Sequence, residues 1–250
     1  MSNFQQLKDQ GLIILYDTAQ IPQISADWFD LNYWQKQQAV LGGAPGRGTS
    51  LFIETPAGEA VWRHYHRGGL VGRCIKDSYV WQGLEKTRAW QEFKLTAKLL
   101  AMGLPVPTPL AACVKPKGLV YSADLITLRL PAAQPLMDFL KANDPATLSD
   151  LLYQVGKTVQ QFHAAGLNHV DLNPRNILVN PATNKVWLID FDRCQLTRPN
   201  ATIAASNINR LERAFTKLDA NQTRRWLQDF MAGYASSESF RTWKLKKDKV

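Results

Sequence analysis

The sequence predicts an α+β fold of two lobes, a small, antiparallel, β-rich N-lobe and a mainly helical C-lobe. Strand patterns prevail before about residue 130, and helical patterns prevail from about residue 131 onwards. An extended segment is forced by three closely spaced prolines, Pro105, Pro107 and Pro109. We expect a single domain over residues 1–250, in which 1–130 form the N-lobe with an N-terminal extension and 131–250 form the C-lobe.

The N-lobe elements follow from local patterns. Residues 1–40 are mixed, and 26–40 could form a helix. Alternation and a Pro-Ala-Gly turn predict strands over 50–54 and 59–65. A helix over 84–102 is indicated by apolar residues at helical spacing and by the glycine that follows, and a strand is predicted over 120–130.

The C-lobe begins near residue 131. Thr147 and Asp150 resemble a capping box, and the helix that follows should end near Gly166. Short buried strands are predicted over 177–179 and 186–189, around a polar turn. Further helices are expected over 207–218 and 222–234, and a frayed basic tail over 240–250.

Composition limits the classes of function. Hydrophobic residues make up 45% of the chain, yet no apolar run approaches the length of a membrane span or signal peptide, so we expect a cytosolic protein. The net charge of +9 favours anionic partners, or it reflects only a solvated basic face. No nucleic-acid-binding module is recognisable, so nucleic acid is not an expected partner. The three scattered cysteines indicate reduced thiols.

One spacing predicts the chemistry. Asp171 is followed five residues later by Asn176, and Asp190 lies beyond the next apolar strand. Phosphoryl transfer from ATP needs a carboxylate that orients or deprotonates the acceptor hydroxyl, and oxygen ligands that hold Mg²⁺. We therefore predict Asp171 as the general base, and Asn176 and Asp190 as ligands of Mg²⁺. The alternative is a polar loop joined to a hairpin.

Two further features concern phosphate binding and support of the loop. In residues 42–49, Gly46 and Gly48 would let backbone amides approach the phosphates of ATP, although the spacing is irregular and a surface loop is the alternative. His169 is expected to support the Asp171 loop rather than to transfer protons. His163, in the last turn of its helix, is expected to be structural as well.

The sequence resembles the kinase superfamily and, within it, the bacterial 3-deoxy-D-manno-octulosonic acid (Kdo) kinases of lipopolysaccharide synthesis. The match extends from about residue 40 to 195. It is carried by Gly46-Arg47-Gly48-Thr49, Arg63-His64-Tyr65-His66-Arg67-Gly68-Gly69, Glu92-Phe93, Gly103-Leu104-Pro105-Val106-Pro107, Asp171-Leu172-Asn173-Pro174-Arg175-Asn176-Ile177-Leu178 and Asp190-Phe191-Asp192.

The resemblance implies ATP-dependent phosphorylation of the 4-hydroxyl of Kdo on a lipid A precursor, by a peripheral protein at the cytoplasmic face of the inner membrane. It also implies that Arg63 contacts ATP phosphates in place of the usual lysine and pairs with Glu92, with Lys76 as the fallback. Asp192 replaces the usual glycine, which argues against a switchable activation segment.

The residues also favour a compact substrate, because only about fifteen residues separate Asp190 from the helix expected at 207. Residues 67–73 could bind anionic lipid, and aromatic residues of the N-lobe could rest at the membrane or pack in the core: Trp62, Tyr65, Trp81 and Trp90. No obligate protein partner is expected. Two alternatives remain open, a soluble small-molecule kinase of the aminoglycoside or choline type and a catalytically silent binding protein.

Overall fold

The computed structural model describes residues 3–44, 50–66, 77–142 and 144–236. The chain divides into two compact units. The N-terminal unit consists of Met1–Lys98 and Pro107–Arg129, and the C-terminal unit consists of Leu99–Val106 and Leu130–Val250.

An antiparallel sheet forms the centre of the N-terminal unit, with the strand order β1-β2-β7-β8-β5-β4-β3 and with β6 paired to β8. The strands are β1 (Phe4–Asp9), β2 (Leu12–Asp17), β3 (Val40–Ala44), β4 (Ser50–Thr55), β5 (Gly58–His64), β6 (Tyr79–Val80), β7 (Pro109–Lys117) and β8 (Val120–Leu128). The pairing of β5 with β8 sets Arg63 opposite Leu125 and His64 opposite Asp124. The predicted strands β4, β5 and β8 are present.

Each face of this sheet packs on a separate apolar cluster, because side chains alternate along a strand. One cluster joins Trp62 and Ile126 to the N-terminal extension, through Trp28 and Trp34. The other cluster joins Tyr65 and Leu125, among others, to the helix α2 (Arg88–Ala101), through Trp90 and Phe93. Neighbouring residues of β5 therefore point to opposite faces.

The helix α2 confirms the prediction over 84–102, apart from a 3₁₀ turn at Leu84–Lys86 that precedes it. It ends where Gly103 adopts a φ of +75°, with Gly103 N–H bonded to Leu100 and Leu104 N–H bonded to Leu99. The left-handed conformation favours glycine, and the two hydrogen bonds satisfy carbonyl groups of the last turn that have no partner within the helix.

Three expectations for local structure were wrong. Residues 26–40 do not form one helix. They hold a 3₁₀ turn, Ala26–Phe29, the short helix α1 (Leu31–Lys36) and the first residue of β3, because Asp30 caps a new helix through Asn32 N–H. Thr147 lies inside the helix α4 (Pro145–Ala164), so it is no N-cap. The helix α5 (Ala201–Leu218) begins earlier than 207, because the Asn200 side chain accepts hydrogen bonds from the N–H groups of its first turn.

Helices dominate the C-terminal unit, as predicted. They are α3 (Leu136–Ala142), α4, α5 and α6 (Thr223–Ser236). Short strands complete it: β9 (Gln134–Pro135), β10 (Leu167–Asn168), β11 (Ile177–Asn180), β12 (Lys185–Leu188) and β13 (Gln195–Leu196). The predicted hairpin is β11–β12, β9 adds to it, and β10 pairs with β13.

Within the described part of the chain, no helix combines the length and apolar character that crossing a membrane requires. Cys113 and Cys194 are buried and present as thiols, as expected. Trp62, Tyr65 and Trp90 are buried in the N-terminal unit. Of the two roles considered for these aromatic residues, they therefore pack in the core and do not face a membrane.

Candidate active site

Asp171 and Asn176 lie in one tight loop of the C-terminal unit, between β10 and β11. Asp171 is exposed, whereas Asn176 is buried. The Asn176 Nδ2 group donates to the backbone oxygen of Asp171 at 2.9 Å and to its carboxylate Oδ2 at 3.3 Å. This amide orientation restrains the Asp171 carboxylate and leaves the side-chain oxygen of Asn176 available as a ligand.

His169 anchors this loop to the segment that carries Asp190. Its side chain is 1% exposed, its Nε2 lies 3.1 Å from the Ile189 carbonyl, and its backbone N–H donates to the Asn207 side chain at 2.9 Å. Burial lowers the pKa of His169, an effect that its bond to the Ile189 carbonyl and the charges of Asp190 and Asp171 only partly offset. A neutral, enclosed imidazole suits a supporting role.

Asp190 follows β12 and holds a left-handed backbone conformation, with a φ of +63°. Such a φ is uncommon for a residue other than glycine and costs about 1–3 kcal/mol, so it persists only where the surrounding structure enforces it. The next residue, Phe191, is buried and contacts the rings of Phe162 and His169. The packing of Phe191 and the pairing of β13 with β10 hold Asp190 in this conformation.

The loop and the Asp190 segment are also joined through the backbone. Ile189 N–H donates to the Asn176 carbonyl at 3.0 Å, next to the contact that His169 makes with Ile189. The three predicted residues Asp171, Asn176 and Asp190 therefore belong to one hydrogen-bonded framework. An amide oxygen and a carboxylate are hard donors of the kind Mg²⁺ prefers, so the residues present fit that ion.

In the N-terminal unit, Arg63 and Glu92 form an ion pair. Arg63 on β5 contacts Glu92 on α2 with 2.5 Å between Nη2 and Oε2, and the Glu92 side chain is 3% exposed. Tyr65 donates a short hydrogen bond from its hydroxyl to the same carboxylate oxygen. The predicted contact between Arg63 and Glu92 is thus present, and it fixes the guanidinium group near the C-terminal end of β5.

The remaining predicted groups lie outside the described residues. These are Gly46 and Gly48, the fallback Lys76 and the basic segment 67–73. Their assignment to phosphate or lipid binding stays a prediction.

Sequence reasoning missed Asn207 and Tyr65. Asn207 is 1% exposed on α5, where it accepts from His169 N–H and donates to the Asn168 side chain at 3.0 Å. A polar residue on the apolar face of a predicted helix was the signal available for Asn207. No local sequence pattern indicated that the Tyr65 hydroxyl donates to Glu92.

The fold and these two groups of residues define a protein of the kinase-like class. The sheet carries a cation on β5 paired to a glutamate on α2, and the helical unit carries an Asp-Asn loop followed by a second aspartate. The predicted α+β architecture is confirmed.

The comparison with protein families identifies the chain more closely. The model of the lipopolysaccharide kinase (Kdo/WaaP) family matches residues 31–234, and the chain belongs to this family. A 3-deoxy-D-manno-octulosonic acid kinase of Vibrio parahaemolyticus is 41% identical over 214 residues, which cover 85% of this chain and 88% of the relative. The enzyme of the same description in Haemophilus influenzae is 35% identical over 242 residues, covering 92% and 99% respectively.

A solved structure described as WaaP in complex with acyl carrier protein is similar in fold. The TM-score is 0.52 at 17% sequence identity, and the alignment covers 86% of this chain and 91% of that chain. The resemblance of the backbones agrees with the membership of the family.

Proposed function

We propose that this chain transfers the γ-phosphate of ATP to the 4-hydroxyl of Kdo on a Kdo-lipid A precursor, in the synthesis of the lipopolysaccharide inner core. The observation that carries the proposal is the framework of Asp171, Asn176 and Asp190 around His169. The relatives named as 3-deoxy-D-manno-octulosonic acid kinases support the choice of acceptor.

Asp171 acts as the general base or orienting group. Its carboxylate is exposed and restrained by Asn176, so an acceptor hydroxyl can approach it while its direction is kept. Positioning contributes most of the rate in phosphoryl transfer, since the reaction demands little covalent participation from the protein. A base of this kind accounts for about 10²–10⁴-fold in rate.

Asn176 and Asp190 hold Mg²⁺ on ATP. When bound, the ion neutralises charge on the phosphate oxygens. The left-handed backbone at Asp190 and the backbone bond from Ile189 to Asn176 keep the two side chains in place. Replacing Asp190→Asn should raise the Mg²⁺ concentration needed for half-maximal transfer, and an unchanged Mg²⁺ requirement would remove Asp190 from this role.

Arg63 contacts the ATP phosphates, and Gly46 and Gly48 supply backbone amides to them. The pairing with Glu92 and the stacking of its guanidinium group 4.8 Å from the centre of the Tyr65 ring restrict the rotamers of Arg63. A planar guanidinium group can bind two phosphate oxygens at once and stays charged at any working pH.

The acceptor is tested by the transfer of labelled phosphate from ATP in three parallel reactions. The acceptors are Kdo-lipid A precursor, the same precursor without Kdo, and a set of soluble sugars and aminoalcohols. We expect label only on the Kdo-bearing lipid, with the phosphate at the 4-hydroxyl by NMR. Label on the precursor without Kdo or on soluble acceptors alone would contradict the proposal and favour a small-molecule kinase.

The same proposal includes contact with the cytoplasmic face of the inner membrane, where a lipid-linked acceptor resides. An apolar surface supports it, which we call the hairpin patch: the exposed Val80 and Leu119 with the half-buried Trp81 between them in the fold, flanked by the exposed Lys115 and Lys117. Leu119 is 86% exposed and Val80 60%, and Trp81 N–H bonds to the Leu119 carbonyl. Apolar side chains beside lysines suit an anionic bilayer surface.

Replacing Leu119→Glu should weaken binding to vesicles of phosphatidylethanolamine and phosphatidylglycerol, because it puts a charge where an apolar side chain would enter the bilayer. Sedimentation with vesicles measures the bound fraction. Met231→Glu on α6 is the matched control, since Met231 is also an exposed apolar residue, and it should bind like the parent protein. Equal binding by all three proteins would contradict the role of the hairpin patch.

A further inference from the structure

Two histidines and an aspartate form a cluster in the N-terminal unit, and none of the three is assigned to phosphoryl transfer. They are His64 at the end of β5, His66 two residues later and Asp77 before β6. One potential ligand atom from each residue lies within 4.8 Å of the other two. His66 Nδ1 is 2.7 Å from Asp77 Oδ1, and His64 Nε2 is 4.0 Å from the same oxygen.

The alternation of side chains along β5 explains why the two histidines meet. Residues two apart on an extended chain share a face. The rings of His64 and His66 lie 4.8 Å apart, at an angle of 65°. Arg63 and Tyr65 point to the other face, where they contact Glu92. The sheet therefore separates this cluster from the Arg63–Glu92 pair.

His64 is already oriented as a metal-binding histidine would be. Its Nδ1 lies 2.9 Å from the carboxylate oxygen of Asp124 on β8, which also accepts a hydrogen bond from the Trp62 indole at 2.9 Å. An Nδ1–H group that donates to a carboxylate fixes the tautomer and leaves Nε2 with its lone pair. That Nε2 is the atom that faces Asp77.

We propose that His64, His66 and Asp77 bind a divalent transition-metal ion of the zinc type, with Asp124 as the residue that orients His64. Two imidazoles and one carboxylate are three of the four donors of a tetrahedral zinc site, and a water molecule or another ligand takes the fourth position. Zinc bonds of 2.0–2.2 Å place neighbouring donors about 3.4 Å apart. To reach that distance, the 2.7 Å between His66 Nδ1 and Asp77 must open and the 4.0 Å between His64 Nε2 and Asp77 must shorten, and the exposed side chains of His66 and Asp77 can rotate to do so.

The bound ion would join Asp77 to the two histidines at and just after the end of β5. It would lie on the face of the sheet opposite Arg63, so we expect it to act on the stability of the N-terminal unit. The donor set differs from that of Asn176 and Asp190, since imidazole nitrogen favours zinc and amide or carboxylate oxygen favours Mg²⁺.

The test is calorimetric titration of the untagged full-length chain with Zn²⁺ in the presence of excess Mg²⁺ and without nucleotide. All proteins carry Cys74→Ser, so that this thiol cannot bind the added zinc. The parent should bind one ion. His66→Gln and Asp77→Asn should each bind at least about tenfold more weakly, as should Asp124→Asn through the loss of orientation. His66 and Asp77 are exposed, so their replacement should not prevent folding.

Two controls keep the outcome specific. Asp150→Asn removes the same charge at an exposed position of α4, and Asp190→Asn alters the Mg²⁺ ligands, so both should bind zinc like the parent. Zinc should also raise the Tm of the parent and leave that of His66→Gln unchanged. No binding by the parent, equal affinity in parent and His66→Gln, or loss of binding in Asp190→Asn would overturn the proposal.

Discussion

At the scale of single residues, the ion pair of Arg63 and Glu92 matters both for stability and for the proposed binding of ATP, because Glu92 is buried and Arg63 is the residue proposed to contact the phosphates. Glu92 is almost fully buried, and its carboxylate is compensated by Arg63 and by the Tyr65 hydroxyl. Removing one partner of such a pair leaves a charge in a poorly solvated position, which is far more costly than losing a surface pair.

Replacing Arg63→Met should therefore raise the KM for ATP at least about tenfold and destabilise the protein by a few kcal/mol. Arg63→Lys should give smaller changes, because it keeps the charge but loses the planar fork. Steady-state kinetics and thermal unfolding measure both effects. The control is Arg129→Met, whose exposed pair with Glu59 should be worth less than about 1 kcal/mol. A KM unchanged in Arg63→Met would contradict the assignment.

His163 gives the protein a specific dependence on pH. Burial lowers its pKa from the ordinary 6.5 to about 4, and the nearby His169 acts in the same direction, whereas a side-chain bond with Asn207 opposes them. Its Nδ1 lies 2.9 Å from the Tyr234 hydroxyl, which stays uncharged because burial raises the pKa of Tyr234 to about 12.

Below about pH 6.5 the unfolded chain protonates at His163 while the folded protein does not until about pH 4. The contribution of neutral His163 to the free energy of unfolding is thus fully present above pH 6.5. It is lost as the pH falls towards 4, by roughly 3 kcal/mol. In His163→Gln the free energy of unfolding should fall less over this window, as measured by urea unfolding at several pH values. Parallel pH profiles for the two proteins would contradict this account.

At the scale of elements, the close packing of α4 on α6 depends on two glycines. A Cβ at Gly156 would lie 2.0 Å from the Phe230 carbonyl oxygen, and a Cβ at Gly233 would lie 1.8 Å from the Tyr153 carbonyl oxygen. In both cases the obstacle is backbone, which cannot rotate away. The two helices can approach this closely only because neither residue has a side chain.

Gly233→Ala should force α4 and α6 apart and lower the free energy of unfolding by about 1–3 kcal/mol, or several degrees of Tm. Thermal unfolding followed by circular dichroism measures the change. Ala232→Leu adds more volume at the neighbouring exposed position and should have little effect. If both variants unfolded at the same temperature as the parent, the described helix contact would be wrong.

The elements differ in how far the sequence predicts them. The helix α2 and the hairpin β11–β12 have local signals, namely helical periodicity, a terminal glycine and a polar turn. The strands β1, β2 and β7 were missed. The first six residues of β7 are all buried, whichever face of the sheet they point to, so β7 lacks the alternation that marks a strand with one exposed face.

The residues of the candidate site also differ in how far the sequence predicts them. Asp171, Asn176 and Asp190 were predicted from a spacing typical of phosphoryl transfer, and the structure joins their segments by hydrogen bonds. The Arg63–Glu92 contact was expected from the family resemblance and is present. Asn207 is separated from His169 by 38 residues, and its role depends on how α5 packs against the loop. Contacts of this kind arise from tertiary packing, which no short sequence pattern specifies.

At the scale of the whole molecule, membership of the lipopolysaccharide kinase family, a kinase-like fold and a net charge of +9 favour an anionic, lipid-linked acceptor. The ten residues between Asp190 and α5, fewer than expected from the sequence, leave still less room for a peptide-docking segment. These properties together support a compact acceptor.

The most direct test of the central claim compares the parent, Asp171→Asn and Asp150→Asn in the transfer of labelled phosphate from ATP to Kdo-lipid A precursor. Loss of the base should lower kcat by about 10²–10⁴-fold in Asp171→Asn and leave ATP binding unchanged, while Asp150→Asn transfers like the parent. Transfer by Asp171→Asn near the parent rate would contradict the assignment of the base and, with it, the proposed mechanism.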